Sequence, residues 1–163
     1  ESELRFEVVN ETQNRYGSNW VTDWLADLLR QNREKIYEDM QGRIKSGHEF
    51  LVLLANDKPV GYSEFSVDPK KHELFEHDFL VRPKFQKLGF GTNLLNRLVW
   101  LSRIRNCTHI RKVMQQPNEM AFAERAQKKL PHVDIDANLP KREVIIRLRK
   151  YPVQKPRPKR PNR

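Results

Sequence analysis

One stretch of this chain restricts its fold more than any other: His77-Asp78-Phe79-Leu80-Val81-Arg82-Pro83-Lys84-Phe85-Gln86-Lys87-Leu88-Gly89-Phe90-Gly91-Thr92-Asn93-Leu94-Leu95. Phe79, Leu80 and Val81 end an apolar strand, and Pro83 stops it because proline cannot donate to a ladder. Leu94, Leu98, Leu101 and Ile104 then recur at helical spacing, with Leu95 and Val99 widening the stripe. Between strand and helix lies Gln86-x-x-Gly89-x-Gly91, with Lys84 and Lys87 beside it. A strand that enters a helix through such a loop aims several backbone N–H groups at one point, and the helix dipole adds positive potential there. Glycine lets a phosphate reach the main chain with no Cβ in the way. The chemistry implied is a cradle for a pyrophosphate. It is not a Walker loop, which needs GxxxxGK followed by Ser or Thr, and it lacks the G-x-G-x-x-G dinucleotide fingerprint.

The remaining elements are read from periodicity. Residues 4–9 alternate as a first strand. Trp20, Trp24 and Leu28 mark one helical face, and Ile36, Met40 and Ile44 mark a second that Gly47 ends. Such stripes read first as core. Residues 50–55 form a near-continuous apolar strand, Asn56-Asp57-Lys58-Pro59 a turn, and 60–67 the returning strand of a hairpin. A third consecutive strand over 72–81 leads into the glycine loop. After the helix, 109–114 is a strand. Pro117 opens a further helix to about Leu130, 131–140 is expected to be a loop, and 142–148 is a last strand. The order predicts one α/β domain over 1–150, with a mixed sheet of six to seven strands flanked by helices, then a basic proline-rich tail over 151–163.

The lead-in Val81-x-Pro83-x-Phe85-Gln86-x-x-Gly89-x-Gly91 resembles motif A of the GCN5-related N-acetyltransferase (GNAT) family. The order of elements over 4–148 is similar to that family's. The resemblance implies that two parallel strands splay to admit acetyl-CoA as co-substrate. Backbone groups of Phe79, Leu80 and Val81 would bind the pantetheine arm. Gln86, Lys87, Leu88, Gly89, Phe90, Gly91 and Thr92 would take the pyrophosphate. An amine acceptor, a small molecule or a protein, would attack the thioester directly, with a base for its proton and an acid for the leaving thiolate. Relatives place the base at positions that correspond here to His77 or Phe75; His77 is the first candidate because imidazole titrates near neutral pH. Glu73 and Glu64 are second choices. Strand alternation puts Glu73, Phe75, His77, Phe79 and Val81 on one face and His72, Glu76 and Asp78 on the other. The family's second motif begins with Asn118 and Ala121, so Asn118 would also touch pantetheine. The chain then departs from it: Arg125 stands where a tyrosine acid is usual, and Lys129-Leu130 replaces Gly-Phe. Tyr62 could serve as the acid, the thiolate could leave unprotonated, or Arg125 could stabilise it.

Other chemistries find little support. His72 and His77 are spaced one residue too far for the H-E-x-x-H zinc pattern and would face opposite ways on a strand, so no metal is expected. The lone Cys107 cannot form an internal disulfide and reads as a small buried residue. No apolar run approaches the ~18 residues of a membrane span. The acidic Glu1-Ser2-Glu3 start lacks a secretion signal's apolar core, so the cytoplasm is the expected compartment. The net charge of +10 is concentrated in the tail. That tail, with Arg103, Arg105, Arg111 and Lys112, supports an alternative: a nucleic-acid-binding or nucleic-acid-modifying protein on the same fold. The acceptor's identity and the oligomeric state are not written in the sequence.

Overall fold

Apolar residues at two periods build a sheet with helices on both faces. The structure is a computed structural model that describes residues 3–12, 22, 23, 26, 31–115, 118–138 and 140–149. The expected helical face of Trp20, Trp24 and Leu28, the helix-opening Pro117 and the tail over 151–163 lie outside the described residues. The strands are β1 (Leu4–Val9), β2 (Glu49–Ala55), β3 (Lys58–Asp68), β4 (Glu73–Val81), β5 (His109–Val113), β6 (Val133–Asn138) and β7 (Glu143–Leu148). The helices are α1 (Arg33–Lys45), α2 (Phe90–Ile104) and α3 (Asn118–Lys129). The seven strands form one mixed sheet in the order β1-β2-β3-β4-β5-β7-β6. Only β4 and β5 run parallel; the other neighbours are antiparallel.

The expected loop over 131–140 is corrected by β6, which pairs with β7 from Val133↔Leu148 to Asn138↔Glu143. Val133, Ile135 and Ala137 turn to the core while Asp134, Asp136 and Asn138 alternate outward. Two prolines around it and its acidic outer face make this edge strand look like a loop. Both the acids and the short length suit an unpartnered edge.

Each sheet face carries its own apolar cluster. On one face Leu94, Leu95, Leu98 and Val99 of α2 and Ala126 of α3 pack over Leu53, Phe65, Leu74 and Ile110. On the other, Ile36, Met40 and Ile44 of α1 cover Phe50, Val52, Leu54 and Tyr62. Helix α1 starts where Asn32 Oδ1 accepts from Glu34 N–H at 2.9 Å. It stops before Gly47, whose φ of +93° suits the left-handed turn.

Two irregularities in β4 decide which groups the sheet brings together. Glu64 pairs with Asp78 but Phe65 with Glu76, so His77 is the extra residue of a β-bulge. In addition, β4 pairs with β5 only from Glu73↔His109 to Glu76↔Lys112. Beyond Glu76 the two strands part, and β4 runs on alone to Val81 on that side.

Candidate active site

The bulge changes which side chains of β4 share a face. Phe79 and Val81 stay on the face of α2 and α3, as do Leu74 and Glu76. Phe75, His77, Asp78 and Leu80 face the α1 side, where their partners are Ser66, His48, Tyr62 and the α1 cluster. The single face expected for Glu73, Phe75, His77, Phe79 and Val81 is therefore corrected. One inserted residue resets a period of two.

The parting of β4 from β5 opens a fork. Arg82 N–H bonds to Val60 O at 2.9 Å. The two-residue alternation of antiparallel pairing then turns the main-chain groups of Phe79 and Val81 toward the fork and those of Leu80 toward β3. Phe79 N–H is held by Asp78 Oδ1 at 2.9 Å, and Val81 O accepts from Gln86 Nε2 at 3.0 Å. The Gln86 side chain thus ties the glycine loop back to the strand end. Phe79, Phe122 and Gly91 meet at the base of the fork. The two rings lie 5.6 Å apart, and a Cβ on Gly91 would come within 3.2 Å of Phe122 Cε2. Lys112 Nζ sits at the crotch, 2.9 Å from Glu76 Oε1, 3.8 Å from Glu119 Oε1 and 5.1 Å from the Phe79 ring centre. Burial pulls its ammonium down, but the Glu76 charge and hydrogen bond outweigh that and raise it overall.

The loop leads from β4 through a short 3₁₀ turn, Pro83–Phe85, into α2. Lys87 (φ +64°) and Gly89 (φ +86°) both adopt the left-handed conformation. Alternating hands of this kind point successive amides inward as an anion nest. Among the described residues, the N–H groups of Lys87, Leu88, Gly89, Phe90, Gly91 and Thr92 have no hydrogen-bond acceptor. Lys87 and Leu88 are exposed, and Phe90 packs edge-on to Phe85 at 6.1 Å. Asn118 is the first residue of α3, at the far wall of the fork. Phe79, Val81 and the loop over 87–92 thus follow one another along the edge of the fork, whereas Leu80 turns its main chain to β3; the free main-chain donors of the loop suit an anion.

The three catalytic candidates do not come together. Glu73 lies at the opposite end of β4, bound by Arg111 Nη2 at 3.0 Å and by His109 Nε2 at 2.9 Å. The Arg111 hydrogen bond, with help from His109, holds its carboxyl below the usual range. Tyr62 is buried and donates its hydroxyl to Asp78. Burial first, then the Asp78 charge, push its phenol up. His77 Nε2 lies 2.8 Å from Ser66 Oγ. Burial and then the charge of His48 press its imidazole below its ordinary value. Arg125 is exposed on α3.

Glu64, a second-choice base in the sequence, and His48, which sequence reading gave no part in the site, complete the α1 side. Glu64, only 2% exposed, accepts from Arg43 Nη1 at 2.7 Å and faces His48 Nδ1 at 2.7 Å. The His48 ring stacks on His77 with centroids 4.0 Å apart and planes 10° apart. His48 belongs to no motif and sits 29 positions from His77 in the sequence, so only the fold reveals the pair. Of the cations expected to serve nucleic acid, the four among the described residues are engaged within the chain. Arg105 binds Glu49, Arg111 binds Glu73, Lys112 binds Glu76, and Arg103 caps the carbonyls of Arg149 and His132.

Among the described residues no helix is long and apolar enough to cross a membrane, and no group of three or more His, Cys, Asp or Glu side chains is arranged to hold a metal. The model of the acetyltransferase (GNAT) family matches residues 8–127. No curated protein matches the chain. Among solved structures, an acetyltransferase of the GNAT family from Desulfovibrio desulfuricans aligns at 17% identity over 90% of this chain and 99% of its own, with a TM-score of 0.60. Tetrahymena GCN5 aligns at 16% over 93% and 99%, with a TM-score of 0.61. The PaiA N-acetyltransferase of Thermoplasma acidophilum, solved with coenzyme A, aligns at 11% over 90% and 99%, with a TM-score of 0.56.

Proposed function

The chain belongs to the acetyltransferase (GNAT) family, and from that premise we propose that it moves an acetyl group from acetyl-CoA directly to the nitrogen of an amine acceptor. The observation that carries this reading is the run of unsatisfied amides over residues 87–92 at the mouth of the β4–β5 fork. Those donors suit the pyrophosphate, and the remaining fork-facing groups, Phe79 O and Val81 N–H, suit the amides of the pantetheine arm, with Asn118 on the facing wall. Leu80 is paired to β3 and serves by holding the edge in place. Gln86 braces the loop rather than meeting the carrier. Bound acetyl-CoA supplies an acyl carbon activated by a thiol leaving group.

The protein's own part is to orient the amine and to take its proton. The imidazole pair His48/His77, on the α1 side of the bulge, is the basic group at hand. Glu73 and Tyr62 are engaged in structural contacts, with Arg111 and His109 in one case and Asp78 in the other. With the Tyr62 proton committed to Asp78 and Arg125 exposed, the thiolate departs unprotonated and takes its proton from water.

The test is binding followed by turnover. Millimolar acetyl-CoA should raise the melting temperature, by RT ln(1 + [L]/Kd) in stability. CoA release should then appear with some member of an amine panel spanning polyamines, peptides with free N-termini or lysines, and aminoglycosides. A melting curve unmoved by acetyl-CoA removes the reading at its first step.

A further inference from the structure

We infer that His48, held by the buried carboxylate of Glu64, is the base that takes the acceptor amine's proton, and that His77 is its stacking platform. This rests on the acetyl-transfer reading above and names the group within the histidine pair that performs it. Glu64 accepts from Arg43 through one oxygen, so it faces His48 as a pure acceptor, and His48 Nδ1 must carry the hydrogen of the 2.7 Å contact. That fixes the tautomer and leaves the lone pair on Nε2, for which no described residue provides a partner. The arrangement of carboxylate, imidazole and open nitrogen is the one that activates histidine in hydrolases of unrelated fold. His77 differs, because its Nε2 already meets Ser66 and its ring also contacts the tilted Phe75 ring, 4.8 Å away.

The position of His48 is fixed from several sides. Its backbone N–H bonds to Arg43 O at 3.0 Å. The parallel stack on His77 sets the plane of the ring. Its side chain is 25% exposed, so an amine in solution can reach it. The charged and titratable groups that face it are Arg43 from α1, Glu64 from β3 and His77 from β4; on β2 the nearest acid, Glu49, is turned to Arg105. A neutral His77 ring can accept an imidazolium against its face, whereas two protonated rings at 4.0 Å would repel. In the step itself the amine nitrogen attacks the acetyl carbonyl and the C–N bond forms as the C–S bond breaks. The electron pair leaves on sulfur, and the amine proton passes to His48 Nε2 and on to solvent.

The experiment has two arms. In the first, histidine ring ¹⁵N shifts are recorded across pH on the wild-type chain without ligand; His48 should be the Nδ1–H tautomer when neutral. In the second, acetyl transfer and the acetyl-CoA melting shift are measured for His48→Asn, Glu64→Gln and His77→Phe. His48→Asn should keep the melting shift and lose ~10²–10⁴-fold in kcat/KM near neutral pH. Glu64→Gln should keep the melting shift and lower kcat/KM near neutral pH, because an amide that can also donate no longer holds His48 in the Nδ1–H tautomer. His77→Phe, which keeps a stacking ring, should lose less than His48→Asn and retain the wild-type shape. An Nε2–H tautomer at His48, or a wild-type profile in His48→Asn, overturns this inference alone. A wild-type chain that neither shifts with acetyl-CoA nor releases CoA overturns the function beneath it.

Discussion

Gly89 holds a φ of +86° with open space around its missing Cβ, so the cost of a side chain there is conformational rather than steric. Gly89→Ala should cost about 1–2 kcal/mol from the left-handed penalty, at ~2–4 °C per kcal/mol for a chain of this size. It should also weaken acetyl-CoA binding, because relaxing the loop turns its amides off their common point. Thermal melts with and without acetyl-CoA separate the two effects. His77 makes a pH prediction. Its folded-state value lies below the unfolded ~6.5, so the unfolded chain binds its proton first as pH falls. Stability contributed at this site is therefore present above that pH and declines as the pH drops through it. His77→Gln should flatten the melting temperature between pH 8 and 5, and an unchanged slope would remove His77 as its source. At this scale the loop was legible, since Gly89, Gly91 and their lead-in announce themselves by type and spacing. The His48–Glu64 contact was not, because nothing in sequence marks a pairing that depends on where α1 ends.

At the level of elements, β6 and the bulge are the two features that sequence reading did not supply, and they fail for different reasons. The alternation of Val133, Ile135 and Ala137 with two acids and Asn138 is present in the sequence, but its low apolar content resembles a polar loop between prolines. The bulge at His77 has no such trace, because an extra residue in a ladder is defined only against its partner strand. Edge strand β6 gains support from α3: Gln127 Nε2 donates to Val133 O at 2.8 Å, and Gln127 Oε1 accepts from Ile135 N–H at 2.6 Å. Gln127→Leu would strip both bonds and leave two half-buried backbone groups unpaired, at a cost of about 2 kcal/mol. The denaturant midpoint should fall with the slope unchanged, and amide exchange should quicken first in β6. Equal quickening across β2 and β3 would mean that Gln127 supports the whole fold and not this edge.

For the whole molecule, charge is divided unevenly between the family-matched region and the C-terminal residues. Lys150, Lys155, Arg157, Lys159, Arg160 and Arg163 carry six of the net +10, with no acid among residues 150–163. The family match ends at residue 127, and the sheet closes with β7 at Leu148. Within the described residues, Arg105, Arg111 and Lys112 are bound to buried carboxylates. If this chain holds polyanions, the densest run of positive charge in the sequence, the last fourteen positions, is the first place to test. Deleting 150–163 should leave the acetyl-CoA melting shift and turnover of small amines intact, because neither the loop over 86–92 nor the fork reaches beyond β7. The same deletion should reduce affinity for a single-stranded oligonucleotide and flatten its dependence on salt, each lost phosphate contact removing ~0.7 from the log–log slope. Fluorescence anisotropy between 50 and 200 mM salt, about the range over which such contacts lose most of their strength, measures both. A salt slope unchanged by the deletion would place the polyanion within residues 1–149 and remove the tail from its binding.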